Sequence, residues 1–165
     1  MSKLTGFTLL ECCTCLSILT ISSCLALPLI NALERGQLEQ DANNIRAAIT
    51  MARTKALTTS TKTTVCCLDS TNACTETWHN AVSTFLDLNA NRVLDQNEQI
   101  LNVTQWSPKT QIQWRGMGTK GALHFSAAGI TQVSNGTLQL QRAGHTINII
   151  VNRQGRVRQV SVPNR

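Results

Sequence analysis

Gly6-Phe7-Thr8-Leu9-Leu10-Glu11 opens the stretch whose reading decides the fold. Before it stands a short polar leader, MSKLTG, whose only charged side chain is Lys3. From Phe7 the chain turns apolar and stays so over residues 7–33. About 20 apolar residues suffice to cross a bilayer as a helix. The run therefore predicts a single membrane span, with Lys3 holding the N-terminus in the cytoplasm. Glu11 is the exception, because an ionisable group inside a membrane helix needs a partner and marks function. A secretory signal would show a shorter apolar core followed by a small-residue cleavage site. Here the glycine precedes the core.

The motif Gly6-Phe7 with Glu11 four residues further on resembles the processing site of type IV pilins and type II secretion pseudopilins. The resemblance implies that a prepilin peptidase cuts after Gly6 and methylates the amine of Phe7. It also implies that Glu11 pairs with the free amine of a neighbouring subunit. That pairing is physically sound, since it neutralises a carboxylate in hydrocarbon. The leader, residues 1–6, is followed by a transmembrane half-helix over 7–34, an amphipathic half-helix over 35–58 and a head over 59–165.

Pro28 predicts a kink or local break in the apolar run, and Gly36 weakens the helix just beyond it. Leu38, Ala42, Ile45, Ile49, Ala52 and Ala56 then recur at alternating steps of four and three, an apolar stripe on an amphipathic helix. Asp41, Asn44, Arg46 and Lys55 lie off that stripe. The helix is expected to end near Leu57, before a threonine-rich run. From there the pattern becomes short strands, expected at 63–68, 81–88, 99–105, 111–115, 122–126, 137–141, 146–151 and 156–162. Turn signals separate them, among them Asn135-Gly136 and Gln154-Gly155. A helix followed by strands argues for an α+β fold: a long N-terminal helix packed on an antiparallel sheet or sandwich.

Seven cysteines fall in two groups. Cys12, Cys13, Cys15 and Cys24 lie in the apolar run. The Cys12–Cys15 spacing matches redox motifs, but that chemistry needs an accessible thiolate; these are small apolar helix residues. Cys66, Cys67 and Cys74 would face an oxidising space. Cys74 with Cys66 or Cys67 closes a short loop, and the pairing adopted is Cys67–Cys74. No clustered histidines accompany them, so no zinc site is expected.

In the stretch from Asp87 to Glu98, Asp87, Asn89, Asn91, Asp95 and Glu98 fall at loop positions 1, 3, 5, 9 and 12, the spacing of a calcium loop. Against calcium, Arg92 stands where that loop wants glycine, and strands flank it. The opposing reading is a polar connection with local Asx turns, and no cofactor or metal is expected. The same segment, with Ala-Arg-Thr-Lys-Ala at 52–56, resembles the FimT/GspH-type pilin domain, where Arg92 replaces a frequent glycine. Polar Thr14, Ser17, Thr20, Ser22 and Ser23 also depart from the family's oilier helix.

The net charge is +6, and no acidic side chain follows Glu98. Lys109, Arg115, Lys120, Arg142, Arg153, Arg156, Arg158 and Arg165 all do, which suggests a polyanionic partner. Gly155-Arg156-Val157-Arg158 sharpens this. In an extended strand Arg156 and Arg158 share one face, suited to successive phosphates of a nucleic-acid strand, and Arg153 across the turn adds a third cation. Val160 and Val162 share their parity, which calls for a bulge near Gln159 or burial on both faces. The opposing reading is a solvated hairpin tip. The motif is similar to the Gly-Arg-x-Arg of the FimT branch, which implies binding of double-stranded DNA for natural transformation. Lys120, Arg115 and Arg142 are secondary candidates.

The three histidines stand apart, beside no obvious nucleophile, so an enzyme is not expected. Trp78, Trp106 and Trp114 read as core residues. The resemblance implies a minor pilin of a Gram-negative bacterium. It would cross the inner membrane once with its head in the periplasm, then join other pilins in a filament at the cell surface. The alternative function is a structural minor pilin or a type II secretion pseudopilin that assembles without DNA.

Overall fold

The computed structural model describes residues 8–116, 121–131 and 133–163, without the side chains of 24–27. The chain divides into two compact units, Met1–Glu34 and Arg35–Arg165.

Helix α1 spans Leu9–Thr59. Its start is a capping box: the Glu11 backbone N–H donates to the Thr8 hydroxyl at 3.3 Å, and the Thr8 N–H donates to the Glu11 carboxylate at 3.0 Å. The following turns are long and apolar enough to cross a membrane. Their hydroxyls are turned inward on the helix itself. Thr14, Ser17, Thr20 and Ser23 each donate to a carbonyl three or four residues back, at 2.8–2.9 Å. That local bonding makes polar side chains tolerable in hydrocarbon. Of the kink or local break expected at Pro28, no break is found: the helix runs through it. A proline removes one backbone bond, and the turns on either side hold. Its C-terminus lies two residues beyond the expected one. Ser60 there takes a left-handed φ of 50°, and the Thr61 N–H closes on the Ala56 carbonyl at 3.2 Å.

In the second unit all six stripe residues of α1 are fully buried. They face two four-stranded antiparallel sheets. The first has the order β3-β2-β1-β5 and the second β4-β6-β7-β8. Their strands are β1 (Thr63–Cys66), β2 (Ala81–Leu86), β3 (Ile100–Gln105), β4 (Gln111–Gly116), β5 (Leu123–Phe125), β6 (Gly136–Arg142), β7 (His145–Val151) and β8 (Val157–Val162). Val65, Val82, Leu123 and Phe125 from the first sheet and Leu138, Leu140, Ile147, Ile149 and Val151 from the second join the helix stripe in one core. Trp78 and Trp106 stack inside it with centroids 6.4 Å apart, and Trp114 packs against it.

Asp41 lies off the stripe and is buried all the same. It is 2% exposed, accepting a bond from the Thr110 hydroxyl and longer ones from the Ser107 N–H at 3.4–3.5 Å. It ties the β3–β4 connection to the helix.

The Cys67–Cys74 pairing is also corrected: the disulfide joins Cys66 to Cys74. Successive strand side chains point to opposite faces. Cys66 belongs to a small cluster with Phe85, Ala122, Leu68 and Cys74, whereas Cys67 is buried in the main core with the helix stripe. Burial pushes the Cys67 thiol up to about 11, against a smaller opposing bond from the His79 backbone. Asp69 organises the loop inside the disulfide, accepting from the Thr71 hydroxyl at 2.6 Å and from the Thr71 and Ala73 N–H groups at 2.7 and 3.0 Å.

Candidate nucleic-acid interface

The β7–β8 turn is built from Asn152, Arg153, Gln154, Gly155 and Arg156. The Asn152 N–H donates to the Arg156 carbonyl at 3.1 Å, and the Gly155 N–H to the Asn152 carbonyl at 2.9 Å. The Asn152 side chain accepts from the Arg156 N–H at 2.8 Å. Gly155 has φ +74°. A loop of three residues ending in a left-handed glycine is a common hairpin closure.

Neighbouring segments pin this turn. Thr131 donates its N–H to the Arg153 carbonyl at 3.1 Å and its hydroxyl to the Asn152 carbonyl at 3.0 Å. Arg53 reaches from α1 to give its Nε–H to the Gly129 carbonyl at 3.1 Å. Gly155 is buried against that pair, and a Cβ there would collide with the Gly129 carbonyl and lie 2.9 Å from Arg53 Nε. The glycine of Gly-Arg-x-Arg is thus a packing requirement. Sequence reading missed Arg53, Gly129, Thr131 and Asn152 as supports of the site. The signal was present only for Arg53, inside the Ala-Arg-Thr-Lys-Ala run.

Arg153, Arg156 and Arg158 are all exposed. Among the described residues, no side-chain hydrogen bond or ion pair engages their guanidinium groups. Of the two alternatives for Val160 and Val162, a bulge near Gln159 is not found. β8 pairs regularly with β7, Val157 opposite Val151, Arg158 opposite Ile150 and Val160 opposite Asn148. Val157 therefore faces the core, while Val160 and Val162 share the outer face with Arg158. Arg156 immediately precedes the strand.

The sheet register also ranks the secondary candidates. Arg115, Thr137, Ile150 and Arg158 form one cross-strand row. Arg115 thus stands on the same outer face as Arg158, about 14 Å away across three strand spacings. Arg142 lies at the opposite end of β6. Gly6, Phe7, Lys120 and Arg165 lie outside the described residues.

The calcium-loop oxygens are spent locally. Glu98 accepts from the Leu88 and Asp95 N–H groups, and Asp95 accepts from the Asn89 and Asn91 amides. Asp87 points instead into the first sheet, 2.6 Å from the Thr64 hydroxyl. Among the described residues, no three His, Cys, Asp or Glu side chains converge to hold a metal. Arg92 adopts φ +63°, which explains why a glycine suits that position.

His124 has a partner that its isolation in sequence concealed. Its Nδ1 lies 2.8 Å from the Thr64 hydroxyl and 3.7 Å from Asp87. The hydroxyl stands between the acid and the imidazole, whereas an activated nucleophile needs the imidazole in the middle. Thr64 and Asp87 are fully buried, so the trio ties β1 and β5 to the residue that follows β2. Burial holds the His124 imidazolium below its ordinary range; Asp87 opposes this, and Arg92 and Lys62 add to it.

A long N-terminal helix, apolar in its first half and packed on antiparallel sheets in its second, defines a pilin-like fold. A family described as type II transport protein GspH matches residues 41–155, and the chain belongs to that family. The match stops at Gly155, so Arg156 and Arg158 lie beyond it. No curated protein matches significantly. Among solved structures, the type IV minor pilin FimU of Pseudomonas aeruginosa is similar in fold. It has a TM-score of 0.59 and 16% identity, over 79% of this chain and 92% of that one. The minor pseudopilin EpsH from the type 2 secretion system of Vibrio cholerae has a TM-score of 0.54 and 14% identity, over 76% and 97%.

Proposed function

We propose that this chain is a minor type IV pilin whose β7–β8 turn binds double-stranded DNA for uptake in natural transformation. One observation supports the reading: three exposed guanidinium groups, without a side-chain partner among the described residues, stand at or beside a single turn whose backbone is fixed from two sides. Such a turn offers charge without needing to be ordered on binding, so little conformational entropy opposes contact. The contacts would be to phosphates, weak per subunit and indifferent to sequence. The Asn152–Arg156 closure sets Arg153 beside them, and Arg115 extends the same face.

In this reading residues 7–34 anchor the protein in the inner membrane, with the head in the periplasm. Prepilin peptidase cuts after Gly6 and methylates Phe7, and Glu11 pairs with a neighbour's amine as other pilins assemble with it. The protein acts by binding and assembly rather than as an enzyme. The second reading is a pseudopilin that assembles without DNA, which the family's description as a type II transport protein favours. Titrating the head, residues 35–165, with duplex DNA at several salt concentrations separates the two. The first reading expects salt-sensitive binding that the Arg156→Ala/Arg158→Ala variant weakens. The second expects none in either protein.

A further inference from the structure

The second sheet has an outer face that the core does not use. Leu138, Leu140, Ile147, Ile149 and Val151 take its inner face into the core, so the alternate residues of the same strands point away from it. The register sets those residues out in rows across β4, β6, β7 and β8. Arg115, Thr137, Ile150 and Arg158 form the row nearest the β7–β8 turn, and Gln113, Gln139, Asn148 and Val160 form the next. None of the four strands contains an acidic residue. Gln139 and Asn148 stand directly opposite one another, yet among the described residues the covered oxygen of each amide has no hydrogen-bond partner. The two side chains are therefore not bonded to each other and keep donors for a ligand. Arg115 gives an Nη2–H to the Gln113 amide oxygen at 3.2 Å. That acceptor is neutral, so the guanidinium keeps its charge and its other donors.

We propose that this outer face straddles the major groove of a DNA duplex, with Arg115 on the phosphates of one strand and Arg158 on those of the other. The proposal rests on the DNA reading of the β7–β8 turn and gives that site a second half. Widths decide the docking mode. Arg115 and Arg158 are separated by three strand spacings, about 14 Å. The major groove is about 12 Å wide and the minor groove about 6 Å. A two-stranded ribbon enters the major groove, but this four-stranded face is wider than the opening and has to bridge it. Over the minor groove both phosphate rims would fall between the arginines. Over the major groove each arginine meets its own rim, and with no acid on the face nothing opposes the attraction. Gln139 and Asn148 lie between the outer strands in the next row, where their amides offer hydrogen bonds to phosphate and sugar oxygens. A face that needs two backbones selects duplex over single strands and stays indifferent to sequence.

The test titrates the full chain, in non-ionic detergent, with a duplex and with one of its strands at several salt concentrations. On the duplex, Arg115→Ala should lower the slope of logarithmic affinity against logarithmic salt by about 0.9, the share of one phosphate contact. Arg115→Lys keeps a point charge and should restore most of that slope. Arg46→Ala removes an exposed cation from α1 and should keep the wild-type slope. On the single strand Arg115→Ala should change nothing, because the second backbone is missing. A wild-type duplex slope for Arg115→Ala, beside a reduced one for Arg156→Ala/Arg158→Ala, overturns the proposal and leaves the turn as the DNA site. An equal loss for Arg46→Ala means that net charge alone counts, which also overturns it. An equal loss on the single strand means that one backbone runs past both arginines, and the straddled groove is wrong. Failure of the wild type to bind either DNA overturns the DNA reading together with this proposal.

Discussion

Replacing Gly155 with alanine tests whether the arginine turn is held by packing. Two costs act together. Gly155 sits at φ +74°, and the left-handed region costs an L-residue about 1–2 kcal/mol. The new methyl also meets the Gly129 carbonyl and Arg53, and overpacking of that kind costs about 1–3 kcal/mol. The unfolded chain loses some freedom, which returns about 0.4–1 kcal/mol. The net expectation is a loss of about 1–4.6 kcal/mol. Gly144→Ala is the matched control, because its φ is +82° but nothing stands within 4 Å of its Cβ. It should lose only the conformational part, about 0–1.5 kcal/mol. Urea unfolding of the head, residues 35–165, measures both. A Gly155→Ala loss within about 0.5 kcal/mol of the Gly144→Ala loss, below what overpacking should add, would refute the packing account.

Three further outcomes follow from other parts of the head. Peptide mapping should find the Cys66–Cys74 cross-link, with Cys67 resisting alkylation near neutral pH until the head unfolds; Cys66→Ser should cost about 2.5 kcal/mol for a loop of this length. His124 has a depressed folded pKa, so its neutral form contributes stability that is complete above about pH 6.5 and is lost as the pH falls through the folded value. The urea midpoint should therefore drop on acidification below about pH 6.5, and His124→Gln should flatten that part of the profile; an unchanged slope would remove His124 as its cause. Ala143 precedes Gly144 with φ +46° in a two-residue hairpin turn, where asparagine is preferred, so Ala143→Asn should raise stability by about 0.5–1 kcal/mol in the same assay.

The elements of this fold were legible where a single period governs them. The stripe from Leu38 to Ala56 repeats with the helix, and it is buried along its whole length. The strands are bounded by turn residues and most alternate, so all eight fell near their observed places. What escaped depended on a partner from elsewhere in the chain. Asp41 is off the apolar stripe yet buried, because the Ser107–Thr110 segment folds down to bond it. Cys66 and Cys67 are adjacent, and only the opposite burial of their two strand faces decides which one meets Cys74. The oxygen pattern from Asp87 to Glu98 was visible, but its use by backbone N–H groups was not. In the arginine turn the charged residues were legible as a motif. The reason for its glycine lay 102 residues earlier, at Arg53, and in the Gly129 loop.

The most direct test of the central claim is the salt dependence of DNA binding by the head, beside the Arg156→Ala/Arg158→Ala variant. Logarithmic affinity should fall linearly with logarithmic salt. Loss of two phosphate contacts should reduce that slope by about 1.8 on duplex DNA. Failure of the folded wild-type head to bind DNA at low salt would contradict the account. A double variant that binds with the wild-type slope would contradict its placement at the β7–β8 turn.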